Sequence, residues 1–399
     1  MTRHCDLVVV GGGIAGSSFA IVMARSGYDV VVLEKEKQFR DRVRGEVIYP
    51  WGAAEIIRLG LYEDFTEGCG RVIDLDTDHI GGVTFEPTRY SDVSPDRASA
   101  LSFPHPEMQE QLLVRARQAE VEIHRGAVME DIRTGNLTEL DFVVDGRKQK
   151  LFARLMVGAD GRESRVVQRL GFQQTRDPEE LYTAGFQLRG FSEDPESVHF
   201  FLDNGEGCGS VVVETAPGNH RAYLLFHKDA LPHRPSGTRD YGLMLDRFRR
   251  LGFPDSWLAQ AEPHGILASF DGAHRWVDKP SRSGVTLIGD AAGSSDPVWG
   301  NGLSRSLRSV RLLRDRLLAD SNWNAASNAY AEDHLRDFQN LRRLERISAE
   351  LNFSMGPEAL ARRRRAWKLM EMEPELAFRV SVYGPDKKIS DHDLGRLLA

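Results

Sequence analysis

A strand–helix–strand pattern at the start of the chain constrains its fold more than any other feature. An apolar run over residues 6–10 stops at glycines, and helix-compatible small and apolar residues follow over 14–26. A second apolar run over 30–33 ends at Glu34. Apolar runs that end in this way are typical of buried parallel strands. The sequence therefore predicts a βαβ unit of about thirty residues, on which dinucleotide sites are built.

Three glycines lie in the turn between the first strand and the helix: Gly11, Gly13 and Gly16. In this spacing the first permits a tight turn, the second lets the backbone approach a pyrophosphate, and the third allows close strand–helix packing. The helix offers free N–H groups and the positive end of its dipole to the phosphates. Glu34 can accept hydrogen bonds from a ribose diol and would repel a phosphate there. This pattern predicts a dinucleotide site but does not separate FAD from NAD.

Two later glycine motifs separate them. Gly158-Ala159-Asp160-Gly161 follows an apolar strand, and Gly289-Asp290-Ala291-Ala292 is followed by Pro297. In this order and at these distances, the three motifs resemble those of the para-hydroxybenzoate hydroxylase-like (group A) flavoprotein monooxygenases. The resemblance covers roughly residues 1–330 of the chain.

The resemblance implies that FAD is the bound cofactor and that NADH or NADPH is a transient reductant. Asp290 would accept hydrogen bonds from ribityl hydroxyls, and Pro297 would border the flavin ring on the side where oxygen adds. The helix that opens at Gly302 would stabilise negative charge on reduced flavin. Together with the first motif and Glu34, the implied cofactor contacts are Ile14, Ala15, Lys35, Arg42, Arg44, Gly45, His105, Val128, Asp160, Gly161, Gly289, Asp290, Ala291, Pro297, Gly300, Gly302 and Leu303.

Three positions depart from the family pattern. Val167 stands where an arginine is frequent, which weakens a claim about nicotinamide contacts but not about FAD. Gly293 replaces the usual histidine, a variation shared with related halogenases and isoprenoid reductases. His105 stands where arginine or glutamine opens a helix, and both a cofactor contact and a structural role stay open for it.

The predicted fold is α/β (α+β overall), with a Rossmann-like, GR2-type FAD-binding domain and an inserted mixed or antiparallel β-sheet that covers the flavin ring. The C-terminal helices are expected to pack against the first domain or a second copy of the chain. The predicted boundaries are about 1–75, 105–180 and 270–325 for the FAD domain, 76–104 and 181–269 for the substrate sheet, and 326–399 for the helices.

The resemblance implies hydroxylation or epoxidation of a small aromatic or polyketide-like substrate with O2, through a flavin C4a-hydroperoxide. Because the cofactor carries the chemistry, no dedicated acid–base group is required, and the catalytic residues are unknown. His199, Tyr223 and His227 lie in the predicted substrate sheet and could orient a phenolate. Strand histidines and tyrosines are more often packing residues.

Several alternatives stay open. A two-component enzyme would receive reduced FAD from a separate flavin reductase. A geranylgeranyl-reductase-like oxidoreductase would share the fold, but the Tyr-x-Trp-x-Phe-Pro signature of those reductases is missing. The Trp-x-Trp-x-Ile-Pro motif of flavin halogenases is missing, and no lysine occurs between Lys37 and Lys148. A flavin-binding protein without turnover is the hypothesis from another class, and the intact motif set argues against it.

Composition narrows the partners. The net charge of -7 argues against nucleic acid, which requires a concentrated basic face. The only basic cluster, Arg362–Arg365, is expected on a solvated helix face. Three cysteines fall at no metal-ligand spacing, so we expect no metal and a reducing cytoplasm. No apolar run approaches the about 20 residues that span a bilayer. A homodimer stays open.

Overall fold

The computed structural model describes residues 2–191, 195–202 and 205–399. Its β-strands are β1 (Thr2–Val10), β2 (Val30–Glu34), β3 (Val47–Ile48), β4 (Arg71–Ile73), β5 (Leu75–Ile80), β6 (Val83–Thr84), β7 (Thr88–Arg89), β8 (Ala100–Ser102), β9 (Glu122–Arg125), β10 (Val128–Arg133), β11 (Thr138–Val144), β12 (Arg147–Gly158), β13 (Gln174–Arg176), β14 (Leu181–Arg189), β15 (Ser197–Leu202), β16 (Cys208–Ala216), β17 (Asn219–His227), β18 (Glu262–Asp271), β19 (Arg275–Val277), β20 (Ser281–Arg282), β21 (Val285–Leu287) and β22 (Gly293–Ser294).

The α-helices alternate with these strands in the first third and dominate the end of the chain. They are α1 (Ile14–Arg25), α2 (Pro50–Leu59), α3 (Tyr62–Thr66), α4 (Tyr90–Val93), α5 (His105–Gln118), α6 (Arg165–Leu170), α7 (Tyr241–Leu251), α8 (Asp255–Leu258), α9 (Gly302–Ala319), α10 (Trp323–Phe353), α11 (Pro357–Met372), α12 (Val380–Tyr383) and α13 (Asp391–Leu398). Two 3-10 turns, Gly289–Ala291 and Pro297–Trp299, precede α9.

The predicted βαβ unit forms the centre of the first large sheet. Its strand order is β10-β11-β12-β1-β2-β9, and β21 pairs with β12. β1 runs parallel to both β2 and β12, and β12 runs parallel to β21, so the carboxyl ends of these strands meet at one edge. The buried apolar strand residues pack against α1, α5 and α9 on one face. The opposite face buries a separate apolar cluster that includes the β10–β12 strands.

The second large sheet has the order β18-β14-β17-β16-β15-β5-β6. Its pairs are antiparallel except for β15 with β5, which makes the sheet mixed. One face buries an aromatic cluster against α7 and α8, with Phe186 and Phe248 stacked at 5.8 Å. The other face turns toward the Pro297–Trp299 turn and the C-terminal helices. The predicted α/β class with an inserted mixed sheet is confirmed.

The C-terminal helices contact α9, which packs on the first sheet, and also the second sheet. The 31-residue α10 packs along α9, as expected for contact with the first domain. Beyond that expectation, Leu376, Val382 and Leu397 share one buried cluster with Val198 and Leu225 of the second sheet. The C-terminal segment therefore closes the side of the sheet that faces the glycine motifs. No helix in the described ranges is long and apolar enough to cross a bilayer.

One expectation about this segment fails at a single position, since Arg364 and Arg365 are exposed as expected. The sequence predicts a solvated face for Arg362–Arg365, but the side chain of Arg363 is 1% exposed. Its guanidinium donates to the carbonyl oxygens of Leu351 (2.7 Å) and Asn352 (2.6 Å). The last carbonyls of an α-helix lack intrahelical donors, and Arg363 supplies them at the end of α10.

Candidate active site

The three glycine motifs lie at the same sheet edge. Val10 lies beside Gly158 in the β1–β12 pair, and Gly158 lies beside Leu287 in the β12–β21 pair. A Cβ on Gly11 would lie 2.4 Å from the carbonyl oxygen of Ala159, and its φ is +107°. Both observations require glycine, because the first and second motifs are in backbone contact.

The third motif completes the convergence. A Cβ on Gly289 would lie 3.0 Å from the Cβ of Ala15, at the start of α1. Asp290, whose side chain is 34% exposed, accepts a hydrogen bond from Arg305 at 2.9 Å through one oxygen. A carboxylate has further lone pairs, so Asp290 can still accept from a ligand hydroxyl.

The space in front of α1 fits a pyrophosphate. No side chain caps the helix at Gly13, and a Cβ there would meet nothing nearer than Gln109 Nε2 at 3.6 Å. Glu34 is buried below this turn, where its carboxylate accepts from the backbone N–H of Gly12 (2.7 Å) and of Glu36 (2.7 Å). Uncapped amides and a carboxylate with remaining lone pairs are the donor and acceptor that a nucleotide requires. These residues therefore fit FAD.

A loop between β2 and β3 reaches across to α9. A Cβ on Gly45 would lie 3.7 Å from the side chain of Leu303. The guanidinium of Arg44 lies 5.9 Å from the ring centre of Phe270, on the second sheet. Arg42 turns instead to an ion pair with Glu36 at 2.7 Å. The structure thus brings Gly45 beside the helix that opens at Gly302 and Arg44 beside the second sheet, whereas Arg42 pairs with Glu36.

Side chains of strand β17 hold the loop between β2 and β3 in place. The fully buried Arg221 donates to both oxygens of the fully buried Glu46, at 2.6 and 3.1 Å, and to Asp41 at 2.9 Å. The Tyr223 hydroxyl donates to the carbonyl oxygen of Arg44 at 2.7 Å. Desolvation outweighs the nearby Arg221 and raises the pKa of Glu46. The sequence analysis missed Arg221 and Glu46, although a charged residue in the apolar run 221–226 was a signal.

His105 lies beside the same loop. Its backbone N–H donates to Glu46 at 3.1 Å, and its Nδ1 lies 2.8 Å from the carbonyl oxygen of Gly45. Desolvation lowers the pKa of the imidazole to about 4, so the ring is neutral at pH 7. A neutral ring that donates from Nδ1 keeps Nε2 as an acceptor for a ligand donor.

The remaining predicted cofactor contacts divide into two groups. The Asp160 carboxylate accepts from Ser164 Oγ (2.5 Å) and from the N–H of Arg165 (2.7 Å), so it caps α6 and supports the turn indirectly. Exposed Val128 follows Ala127, whose N–H donates to the Glu34 carbonyl oxygen at 3.0 Å. The others lie in the first turn of α1, just after β2 or β12, in the two 3-10 turns, or at the start of α9: Ile14, Gly16, Lys35, Gly161, Ala291, Pro297, Gly300 and Gly302.

The three substrate candidates lie in different places. Tyr223 faces the loop between β2 and β3 (the motif loop), as its hydrogen bond to the Arg44 carbonyl shows. His227 lies at the end of the same strand, 3.6 Å from Asp229. His199 lies on the opposite face of the sheet, where its Nδ1 is 3.1 Å from His79 Nε2. The structure therefore gives only Tyr223 a place beside the motifs.

Between the second sheet and the Pro297–Trp299 turn lies an apolar interface. Val211, Val213 and Leu225 share a buried cluster with Val298, and β14 contacts the turn directly. Two buried polar atoms there, Thr183 Oγ1 and Trp299 Nε1, have no hydrogen-bond partner among the described residues. Unpaired polar atoms in an apolar interface suit a ligand that carries a matching polar group.

The chain matches a known family over most of its length. Residues 4–331 match the family model described as FAD binding domain. A digeranylgeranylglycerophospholipid reductase of Methanothrix thermoacetophila is 25% identical over 334 residues, which cover 80% of this chain and 78% of that protein. A menaquinone reductase of Mycolicibacterium smegmatis is 25% identical over 368 residues, which cover 86% and 84%.

The fold also matches solved structures. The crystal structure of p-nitrophenol 4-monooxygenase from Pseudomonas putida superposes with a TM-score of 0.78 at 21% identity, and the match covers 94% of this chain and 97% of that one. At this identity the likeness concerns the fold alone.

Proposed function

Because the chain belongs to the FAD-binding domain family, we propose that it is an FAD-dependent monooxygenase that hydroxylates or epoxidises a small aromatic or polyketide-like substrate. Membership of this family makes it a flavin oxidoreductase with FAD as its cofactor. The chemistry supplied by bound FAD is the two-electron transfer from NADH or NADPH to O2, by which one oxygen atom enters the substrate and the other leaves as water.

The protein's part is to bind FAD, exclude water and position the substrate. The glycine turn at Gly11 and Gly13, with Glu34, holds the nucleotide end. Asp290 holds the ribityl chain, and the loop at Arg44 lies along the ring. The contacts above and the order of the motifs support these assignments.

The observation that carries the proposal is the apolar interface over the Pro297–Trp299 turn. An interface of this kind keeps water from reactive oxygen, and Thr183 Oγ1 and Trp299 Nε1 offer hydrogen bonds to a substrate oxygen. The two polar side chains that β17 turns toward the motif loop, Arg221 and Tyr223, are both engaged by that loop. Oxygen insertion into an electron-rich ring requires positioning and no separate proton donor, which agrees with this arrangement.

A reductase acting on an isoprenoid-bearing substrate is the second candidate. The observation in its favour is that a digeranylgeranylglycerophospholipid reductase and a menaquinone reductase each match this chain over more than three quarters of its length. Reduction of a carbon–carbon double bond would need a hydride and a proton at adjacent carbons, and no O2.

The test is anaerobic reduction of the bound flavin by NADH and by NADPH across a panel of phenols and polyketide-like aromatics. We expect one compound to accelerate loss of the yellow band. If neither nucleotide reduces the flavin, reduced FAD from a separate reductase is supplied instead, which tests the two-component form. Rapid anaerobic reoxidation of the reduced protein by menaquinone or a geranylgeranyl lipid would favour the reductase.

The surroundings of the protein are also proposed. Cys5, Cys69 and Cys208 form no disulfide in the described part of the chain, and we propose a reducing cytoplasm as the setting.

A further inference from the structure

We propose that Glu345 is a positioning residue for the FAD site, acting through Asn301 at the start of α9. Glu345 belongs to α10, beyond the residues that match the family model. The proposal rests on the proposed contact between the first turn of α9 and the flavin, and it adds a residue that no motif predicts.

Asn301 is held by two buried partners. Its Nδ2 donates to Glu345 Oε1 at 2.8 Å, and its Oδ1 accepts from Trp51 Nε1 at 3.0 Å. Asn301 and Glu345 are fully buried, and Trp51 is 4% exposed. Both polar ends of the Asn301 amide are therefore committed to residues from α10 and α2.

This commitment leaves the first turn of α9 without a side-chain cap. Asparagine at an N-cap usually accepts a hydrogen bond from the second or third amide of its own helix. Asn301 makes no such bond, and the first intrahelical bond joins Arg305 N–H to the Asn301 carbonyl at 2.9 Å. The first-turn amides of an uncapped helix can donate to an anionic ligand.

The second oxygen of Glu345 contacts the segment at His274, which lies next to the Pro297–Trp299 turn. Glu345 Oε2 lies 2.8 Å from His274 Nε2. His274 follows Gly272, where a Cβ would lie 2.7 Å from Asp296 Oδ1, and Asp296 caps the turn that begins at Pro297. One carboxylate thus joins α10 directly to the start of α9 and, through residues 272–274, indirectly to the turn at Pro297.

A carboxylate suits this position because its two oxygens can accept from two donors at once. Leucine would fill the space but leave Asn301 Nδ2 and His274 Nε2 without their Glu345 partner, while Trp51 would still bind Asn301 Oδ1 and Asp177 would still lie 3.5 Å from His274 Nδ1. Glutamine keeps an oxygen for Asn301, and its amide can donate to the other tautomer of His274. We therefore expect Glu345→Gln to rescue what Glu345→Leu loses.

The experiment compares FAD binding and flavin potential in full-length variants. The dissociation constant of FAD is measured by fluorescence titration of apoprotein, and the midpoint potential by dye equilibration. For Glu345→Leu we expect the dissociation constant of FAD to rise roughly tenfold. The midpoint potential should become more negative, because the variant weakens binding of the reduced, anionic flavin more than binding of the oxidised flavin. For Glu345→Gln we expect a rise of less than about threefold.

The matched control is Asp333→Asn. Asp333 is also a largely buried carboxylate on α10, but it pairs with Arg336 (2.6 Å) and with Arg316 (2.5 Å) in the last turn of α9, at the opposite end from Asn301. This variant should keep the parent's affinity and potential. An equal loss in Glu345→Leu and Asp333→Asn would mean that α10 acts only through stability, and the proposal would be overturned.

A double-mutant cycle tests the route through Asn301. Asn301→Ala should weaken FAD binding on its own, which keeps the test intact if Glu345→Leu does not fold. The double variant should bind FAD within about twofold of the weaker single variant. Fully additive losses would overturn the route. A parent protein that binds no FAD would refute the proposed function, whereas a parent that binds FAD with an unchanged Glu345→Leu variant would refute only the role of Glu345.

Discussion

Replacing Arg221 with methionine should destabilise the protein and loosen FAD together. Arg221 and Glu46 are both fully buried and joined by two hydrogen bonds at 2.6 and 3.1 Å. Methionine keeps most of the volume but leaves the Glu46 carboxylate with the backbone N–H of His105 as its donor and with Asp41, another acid, nearby. Removing one partner of a buried ion pair costs about 3–5 kcal/mol.

The magnitude can be checked by thermal and urea unfolding. With about 2.1 cal/mol/K of unfolding entropy per residue, a loss of about 4 kcal/mol lowers the Tm of a 399-residue chain by about 5 °C. FAD affinity should fall as well, because the loop that carries Arg44 is anchored by this pair. Glu46→Gln should cost less, since Arg221 keeps Asp41 at 2.9 Å.

The loss should also depend on pH. Without Arg221, the pKa of Glu46 in the folded protein rises further above its value in the unfolded chain, because burial is no longer opposed. A carboxyl with a raised pKa favours the folded state at low pH, and this contribution is lost as the pH rises through the folded pKa. The difference in unfolding free energy between the parent protein and Arg221→Met should therefore become smaller as the pH is lowered. A loss of unfolding free energy below about 1 kcal/mol at pH 8 would refute this reasoning, and so would a loss that becomes larger at acidic pH.

Further predictions concern the motifs. Gly11→Ala should fold poorly, since its Cβ would overlap the second motif, whereas Gly13→Ala should fold normally and purify colourless; yellow Gly13→Ala would contradict the pyrophosphate assignment. Tyr223→Phe removes the hydrogen bond to the Arg44 carbonyl, so it should lower the unfolding free energy by about 1 kcal/mol and slow flavin reduction. Unchanged reduction kinetics would show that this hydrogen bond does not position the loop for reduction. Burial raises the pKa of Asp296 to about 7, so its stabilising contribution is present below pH 4 and is lost as the pH rises through 7; Asp296→Asn should flatten the unfolding free energy between pH 5 and 8, and an unchanged slope would exclude Asp296 as its source.

The sequence was informative wherever function depends on local backbone geometry. Gly11 and Gly289 must be glycine because the backbone turns and neighbouring elements come within contact, and such constraints leave a visible spacing. The apolar runs around the first motif predict their own burial by the same local reasoning. The family and its cofactor follow from these motifs, and both are confirmed.

Partners distant in sequence could not be predicted in this way. Glu46 and Arg221 are separated by 175 positions, and only the packing of the second sheet on the loop pairs them. His199 and Tyr223 show that strand position does not reveal the face, since only the sheet's register places them on opposite sides. The local partners of Asp160, Ser164 Oγ and the N–H of Arg165 at the start of α6, were likewise not predicted from its motif. The cofactor contacts of individual residues stay predictions.

The central claim is that oxygen from O2 enters the product at an FAD held by the three motifs. The direct measurement is turnover of the compound that accelerates flavin reduction, carried out under 18O2 in ordinary water with mass analysis of the product. The account predicts one 18O atom in each product molecule and one NADH or NADPH consumed with it. A product that gains two hydrogens and no 18O would contradict the monooxygenase assignment and establish the reductase instead.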